Sequence, residues 1–146
     1  FGILQSQMHM AWLRNVCGRI KSDFRYSAGI VYNNFPWPES LTGKREQAIE
    51  VAALGVLDTR GKFPKATLAD LYDPLTMPPE LVKAHQILDR AVDAAYGKTN
   101  FKSDAERVAF LFELYQKYTS LLPTEAKPKS RRKRSPRTGP GLDLNS

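Results

Sequence analysis

Apolar residues recur at three- and four-residue intervals through most of segment 42–122, and glycine or proline divides that segment into blocks. This period is typical of α-helices that bury one face. The spacing predicts four helices, over 42–60, within 66–74, over 78–96 and over 103–122. In the three longer helices the predicted inward residues are Ile49, Ala52, Ala53, Val56 and Leu57; Leu81, His85, Leu88, Val92 and Ala95; and Val108, Leu111, Phe112, Tyr115, Tyr118 and Leu122.

Residues that favour helix ends stand at the borders of these blocks. Thr67 and Asp70 have the spacing of a capping box before the short helix, and Ser103 and Glu106 have it before the last one. A proline pair at 78–79 suits a first helical turn, where a missing N–H costs little. The predicted helix stops are Gly61, Gly97 and Pro123.

The first forty residues predict a helix followed by a strand. Segment 3–20 has apolar residues at helical spacing, and we expect its helix to fray near Gly18. The stretch YSAGIVYNNFPWP follows at 26–38. Its β-branched and aromatic residues predict a strand through Ile30–Tyr32, which FPWP closes because a residue before proline favours extended geometry.

The predicted fold is therefore mainly α: a small helical domain of about four helices, preceded by a helix–strand segment. Beyond Pro123 the periodicity disappears, and the sequence is proline, glycine and charge with almost nothing apolar. We expect residues 124–146 to form a disordered basic tail.

The net charge of +7 is concentrated at the two ends of the chain. Residues 1–45 carry six basic side chains against two acidic ones, and residues 127–146 carry seven against one. Residues 46–126 carry nine against twelve. Since a basic surface favours polyanions, we expect contacts with nucleic acid to come from the ends.

Other features of the sequence concern its compartment and its extent. A single cysteine, Cys17, excludes an internal disulfide framework, and no apolar run is long enough to span a membrane. We therefore expect a cytoplasmic protein without membrane contact. The chain starts at Phe1 within a well-formed amphipathic segment, which suggests a piece of a longer protein; a processed N-terminus is the alternative.

None of the short motifs that resemble known sites has the context that its chemistry needs. The GKT at 97–99 would require a glycine at position 92, which is Val92. His9, His85 and Cys17 are too few and too scattered for a zinc site. The sequence predicts no catalytic residue, no cofactor-binding residue and no metal ligand.

The NNFPWP segment at 33–38 has the ingredients of the Asn-Pro-Pro-aromatic loop of amino-group methyltransferases, but in the wrong order. No proline directly follows either asparagine, so this is not that catalytic loop. The structural interpretation is that Phe35 and Trp37 pack under the helices while the prolines set the exit angle. The alternative is that Tyr32, Asn33 or Asn34 faces nucleic acid.

Four longer strings resemble the C-terminal end of the MmeI-like enzymes, which are large single-chain DNA methyltransferases of the Type IIL restriction-modification class. They are SQMHMAW at 6–12, RYSAGIVYNNFPWP at 25–38, LADLYDPLTMPPELVKAHQILDRAVDAAYG at 68–97 and FKSDAERVAFLFELYQKYTSLL at 101–122. The resemblance covers about residues 1–123, with the strings in the family's order.

The resemblance implies a parent enzyme that uses S-adenosylmethionine to methylate the N6 amine of adenine in double-stranded DNA, sometimes with a fused nuclease. Residues 1–40 resemble the end of a target-recognition domain, and residues 41–123 resemble a helical C-terminal domain. The cofactor turn and the catalytic loop of the family lie upstream and match nothing here, so no cofactor is expected in this chain. Its partners would be double-stranded DNA and the upstream methyltransferase and target-recognition domains.

The residues expected to contact DNA fall into three groups. Basic side chains before the aromatic stretch are expected on phosphates, which fix orientation without reading sequence. The two asparagines of NNFPWP have the amides needed for an adenine edge. The tail segment SRRKRSPR would attract DNA without sequence preference; a nuclear-import signal or no role at all are the alternatives. The three groups are Arg14, Arg19, Lys21 and Arg25; Asn33 and Asn34; and Arg131, Arg132, Lys133 and Arg134.

Two other functions fit the same sequence. A free-standing nucleic-acid-binding module would bind through its basic flanks and lose that binding without residues 124–146. A helical protein-interaction domain would dock by its apolar stripes, and exposed Leu and Tyr side chains on the last helix would support it.

Overall fold

The computed structural model describes residues 1–20, 23–39 and 41–121 and is mainly helical, which confirms the predicted fold class. Its α-helices are α1 (Gln7–Val16), α2 (Gly43–Gly61), α3 (Leu68–Leu71), α4 (Pro79–Ala95) and α5 (Asp104–Ser120). A 3-10 helix (Ile3–Gln5), two short strands, β1 (Gly18–Ile20) and β2 (Asp23–Arg25), and a π-helix (Ala28–Tyr32) complete the described elements. No helix in the described part of the chain is both long and apolar enough to cross a membrane.

Most helix ends lie where the sequence predicts them. The Thr67 hydroxyl accepts from the Asp70 N–H, and the Asp70 carboxylate accepts from the Thr67 N–H, so this capping box is complete. At α5 the Ser103 hydroxyl accepts from the Glu106 N–H. The Glu106 carboxylate accepts from the backbone N–H of Lys102, one residue before the cap, so this capping box is incomplete. The backbone turns out of α4 at Gly97, whose φ of 78° is one that favours glycine.

A single hydrophobic core joins the first forty residues to the helices that follow. Helices α2 and α4 pack side by side, and α1 packs across α5. Trp12 of α1 is almost fully buried, and its ring lies 5.2 Å from that of Phe112 and 5.9 Å from that of Tyr115, centroid to centroid. Other members come from nearly every element: Met8, Val31, Phe35, Ile49, Val56, Leu71, Leu81, Leu88, Val92 and Leu111.

Two predictions about the first forty residues are wrong. The first helix does not continue to residue 20: it ends at Val16, and Gly18–Ile20 pairs antiparallel with Asp23–Arg25 in a hairpin. The expected strand Ile30–Tyr32 lies within the π-helix Ala28–Tyr32. No neighbouring strand in the described residues offers this segment a ladder, and its carbonyls instead accept from nearby side chains.

The predicted inward stripes of α2 and α4 are mostly buried, whereas in the described part of α5 only Leu111 is fully buried and Val108, Tyr115 and Tyr118 are partly buried. Leu57 is 43% exposed and Phe112 is 41% exposed, so part of each apolar face lacks a covering element in the described part of the chain. His85 is half-buried on α4. Leu122 and the expected disordered tail at 124–146 lie outside the described residues.

Gly2 makes a close contact that a larger residue would break. A Cβ added to this residue would lie 2.7 Å from Ile49 Cγ2 and 3.2 Å from Ala53 Cβ, although its φ of −53° suits any residue. The backbone of the 3-10 segment can therefore lie directly against α2 because position 2 has no side chain.

We expect Gly2→Ala to lower the free energy of unfolding by about 1–3 kcal/mol, because it overpacks this contact. Gly55→Ala is the matched control: it lies inside α2 with open space around the added Cβ, and should stabilise by about 0.5–1 kcal/mol. Urea titration of both variants measures the difference. Equal stability of Gly2→Ala and the wild type would show that the segment does not pack as described.

Candidate nucleic-acid interface

The hairpin of β1 and β2 carries two of the four basic residues predicted to contact phosphate, Arg19 and Arg25. Its register pairs Gly18 with Arg25, Arg19 with Phe24 and Ile20 with Asp23. The Arg25 side chain is exposed, and Phe24 beside it is partly exposed. For Arg19 the structure describes the backbone alone, and Lys21 lies outside the described residues.

The base of the hairpin is held against α1 by an aromatic cluster. Tyr26, the residue after β2, places its hydroxyl 3.4 Å from Nε2 of His9. The buried His9 ring meets Phe35 edge to face, with centroids 4.7 Å apart. Burial lowers the pKa of His9, and its Nδ1 has no hydrogen-bond partner in the described part of the chain. His9 is therefore neutral near pH 7, and the hairpin leaves the core from a fixed point.

The π-helix that follows is anchored from below by α1. The indole N–H of Trp12 donates to the carbonyl of Val31 at 3.1 Å, inside the core. From above, the Asn34 amide donates to the carbonyls of Gly29 at 2.9 Å and Ile30 at 3.1 Å. These three bonds satisfy carbonyls that a regular helix would pair otherwise. They leave the side chains of Ile30, Tyr32 and Asn33 facing solvent.

The FPWP segment is fastened to the last two helices by hydroxyl groups. The Tyr96 hydroxyl donates to the Pro36 carbonyl at 2.9 Å, and the Tyr118 hydroxyl donates to the Trp37 carbonyl at 2.7 Å. Burial raises the pKa of both tyrosines, and Glu39 adds to the shift at Tyr118, so both stay protonated donors. Phe35 is buried and Trp37 is half-buried, as the structural interpretation of this segment expects.

The remaining predicted residues have different surroundings. Arg14 forms an ion pair with Asp104 of α5, with 2.6 Å between the charged atoms, and this pair links α1 to α5. Asn33 is exposed, whereas the amide nitrogen of Asn34 is bonded to the π-helix. Segment 131–134 lies outside the described residues. The structure thus leaves the predicted DNA contacts as predictions, with Arg25 and Asn33 exposed.

Exposed aromatic residues on either side of Arg25 in the sequence were not among the predicted site residues. Phe24 and Tyr26 flank this arginine and are 38% and 47% exposed. Phe24 and Arg25 are consecutive residues of β2, so their side chains project from opposite faces of the hairpin. The hairpin therefore offers a charge on one face and an aromatic ring on the other, two kinds of group that bind nucleic acid. The sequence signal for them is the run Phe24–Arg25–Tyr26, which has an aromatic residue on each side of the arginine.

A polar groove of about 640 Å³ lies between the N-terminal segment and helices α3 and α4. Arg60 donates to Gln5 at 2.9 Å and to the Tyr72 hydroxyl at 2.7 Å, and Tyr72 lies 2.7 Å from Nε2 of His85. Burial and the nearby Arg60 lower the pKa of His85. Since its charged and polar groups already bind one another, this network fastens the N-terminal segment to the helices.

No group of three or more His, Cys, Asp or Glu side chains that could hold a metal ion occurs in residues 1–20, 23–39 and 41–121. The polar side chains around the hairpin, Arg25 and Asn33, are suited to binding through charge and hydrogen bonds.

Comparisons with known proteins agree in their result. Residues 1–39 match the family model of the MmeI target recognition domain, and residues 41–123 match that of the MmeI C-terminal domain. DNA methyltransferase A of Bacillus subtilis (strain 168) is 52% identical over 118 residues, which make up 81% of this chain and 13% of that protein.

A solved structure, that of the Type IIL restriction-modification enzyme MmeI in complex with DNA, superposes with a TM-score of 0.80 at 55% identity. The match covers 83% of this chain and 16% of that one. The chain therefore spans less than a fifth of the length of either relative.

The buried His9 predicts a stability that falls as the solution becomes more acidic. Its pKa is lowered from 6.5 by burial, so below that pH the unfolded chain takes up a proton that the folded chain refuses. We expect the free energy of unfolding to fall between about pH 7.5 and 5.5, by at most about 1.4 kcal/mol per pH unit from this residue.

The variant His9→Leu should lose that share of the pH dependence, as measured by urea titrations at several pH values. Contributions from His85, whose pKa is also lowered, and from Asp89, whose pKa burial raises, are common to both proteins and cancel in the comparison. An identical pH slope for variant and wild type would show that His9 is not buried as a neutral group.

Proposed function

This chain belongs to the MmeI family, and from that premise we propose that it is the non-catalytic C-terminal part of a site-specific N6-adenine DNA methyltransferase. Within it, residues 1–40 would be the end of the target-recognition domain and residues 41–123 the helical C-terminal domain. The family matches, the 52% identity to a DNA methyltransferase and the likeness to an enzyme solved with DNA support the proposal.

The observation that carries the proposal is the anchoring of the hairpin and the π-helix in the helical core. Trp12 donates to the Val31 carbonyl of the π-helix. Tyr96, the residue after α4, and Tyr118 of α5 donate to the Pro36 and Trp37 carbonyls that follow the π-helix. Such anchoring orients a recognition surface with little loss of conformational entropy on binding. The helical part would thus serve as the rigid support of a DNA-reading surface.

In this proposal the upstream domains would supply the catalytic loop and the cofactor site. The sequence contains neither a glycine-rich cofactor turn after a strand nor an Asn-Pro-Pro-aromatic loop. S-adenosylmethionine would therefore bind to the upstream domains. Any fused nuclease domain would also lie upstream. The proposed location is the cytoplasm. A DNA substrate agrees with this location, and so does the single cysteine, since a chain with one cysteine forms no internal disulfide.

Contacts with double-stranded DNA would come first from the hairpin. Arg25 is exposed on β2 and would bind a phosphate, and the exposed Asn33 would reach a base edge. Arg14 would contribute less, because Asp104 already neutralises its charge. The tail residues Arg131 to Arg134 would add an attraction that depends on salt but not on DNA sequence.

The first experiment compares methyl transfer by this chain alone with transfer by the whole enzyme that includes the upstream domains. With labelled S-adenosylmethionine and plasmid DNA, we expect incorporation into adenine by the whole enzyme and none above background by the 146-residue chain. Methylation of DNA by the isolated chain would contradict the non-catalytic role. A whole enzyme that methylates no adenine would contradict the proposed activity.

A second experiment tests the role of the hairpin in the whole enzyme. Because each phosphate contact releases counterions, Arg25→Ala should weaken DNA binding at low salt and reduce the slope of log K against log salt by about 0.9. Arg90→Ala is the matched control: it removes the same charge from an exposed position on α4. If both variants change the slope equally, the hairpin makes no specific phosphate contact.

A further inference from the structure

Helix α2 carries apolar side chains on more than one face, which is unusual for a helix at a protein surface. Ile49, Ala53 and Val56 point into the core, while Leu54 and Leu57 remain exposed beside them. The exposed apolar side chains on this side of α2 therefore indicate a surface that another polypeptide covers.

On this side of α2 lies an apolar groove of about 620 Å³, here called the Phe1 groove. Large side chains line it and are substantially exposed together, whereas single exposed apolar residues are ordinary on monomer surfaces. Its exposed apolar lining residues are Phe1, Tyr32, Leu41, Leu54 and Leu57.

The start of the chain forms one wall of the groove. Gly2 lies against Ile49 with no room for a side chain, and Gln5 N–H donates to the carbonyls of Phe1 and Gly2 at 3.2 Å. These contacts hold the first residues in place while the Phe1 side chain stays 58% exposed. Any residues that precede Phe1 would therefore begin beside the groove, because Phe1 is one of its lining residues.

The charges around the groove disfavour other occupants. Glu46 and Glu50 are the charged residues among those that line it in the described part of the chain. An acidic rim repels DNA, and an isologous dimer would bring the acidic pairs of two copies towards each other. Segment 123–146 has the complementary basic charge but almost no apolar side chains with which to fill the groove.

We propose that the Phe1 groove is the docking site for the preceding part of the same polypeptide, an apolar segment with basic residues that enters at Phe1. This inference rests on the proposed function, since it requires the upstream domains. Relatives in which a chain like this one is 13–16% of the whole leave ample polypeptide to supply that segment. The groove would then join the helical C-terminal part to the upstream recognition domain, with Tyr32 of the π-helix at its edge.

The test measures how fast a thiol in the groove reacts with a maleimide. Leu54→Cys is placed in the isolated 146-residue chain and in the whole enzyme, with Cys17→Ser in both, and labelling at position 54 is followed by peptide mass spectrometry. We expect labelling to be about tenfold slower or more in the whole enzyme, since a covered thiol reacts only during local openings. Leu75→Cys, at a 93% exposed position, is the control and should react equally in both proteins.

Each other outcome of this experiment overturns the proposal. Equal labelling of position 54 in both proteins means that nothing upstream covers the groove. Protection that appears in the isolated chain as its concentration rises means that a second copy is the occupant. Protection in the isolated chain at every concentration, lost when residues 124–146 are deleted, means that the tail is the occupant.

A second variant gives a readout that does not depend on thiol chemistry. Leu54→Asp should leave the melting temperature of the isolated chain nearly unchanged, because the side chain is 52% exposed there. In the whole enzyme the same change should lower the melting temperature, because it buries a charge in an apolar interface. An unchanged melting temperature in the whole enzyme would contradict the proposal.

Failure of this inference is distinguishable from failure of the proposed function. A whole enzyme that methylates adenine but leaves position 54 fully reactive refutes the docking site alone. A whole enzyme with a protected groove but no methyl transfer refutes the proposed activity and leaves the docking site standing.

Discussion

The burial of Trp12 is the interaction on which the rest of the structure depends. Its ring packs against Phe112 and Tyr115 of α5, and its N–H binds the carbonyl of Val31 in the π-helix. Truncating a buried aromatic of this size typically costs about 3–5 kcal/mol, a large fraction of the stability of a domain this small. Through this one side chain, the segment that carries the hairpin and the helical group form a single core.

Sequence reasoning succeeded where local chemistry decides the structure. The boundaries of α2, α3 and α4 follow from caps, prolines and glycines within a few residues of each helix end, and the structure confirms them. The buried positions of α4 follow from a regular period with polar residues between. The family resemblance, which the comparisons confirm, also came from the sequence alone.

It failed where distant residues decide. The segment Ala28–Tyr32 has a β-rich composition, but side chains of α1 and of its own turn satisfy its carbonyls and fix a π-helix. The ion pair of Arg14 with Asp104, ninety positions along the chain, also could not be seen in the sequence, and the phosphate contact predicted for Arg14 stays a prediction. Periodicity also assigned Leu57 to the core because it marks an apolar residue, and it does not tell whether anything covers that residue.

Two surfaces of opposite character emerge on this small scaffold. The hairpin carries the exposed Arg25, which suits a polyanion, whereas the Phe1 groove is apolar with an acidic rim. The separation allows one part of the proposed enzyme to face DNA while another joins the preceding domain. Both depend on a helical core that holds them in fixed relative positions.

The most direct test of that shared core is native-state hydrogen exchange of the isolated chain, comparing amides around Trp12 and Val31 with amides around Leu88 and Leu111. If all four residues belong to one cooperative unit, their amides open with the same free energy, and Leu88→Ala lowers that energy equally for all. Amides near Trp12 and Val31 that open far more easily, and do not respond to Leu88→Ala, would contradict the account.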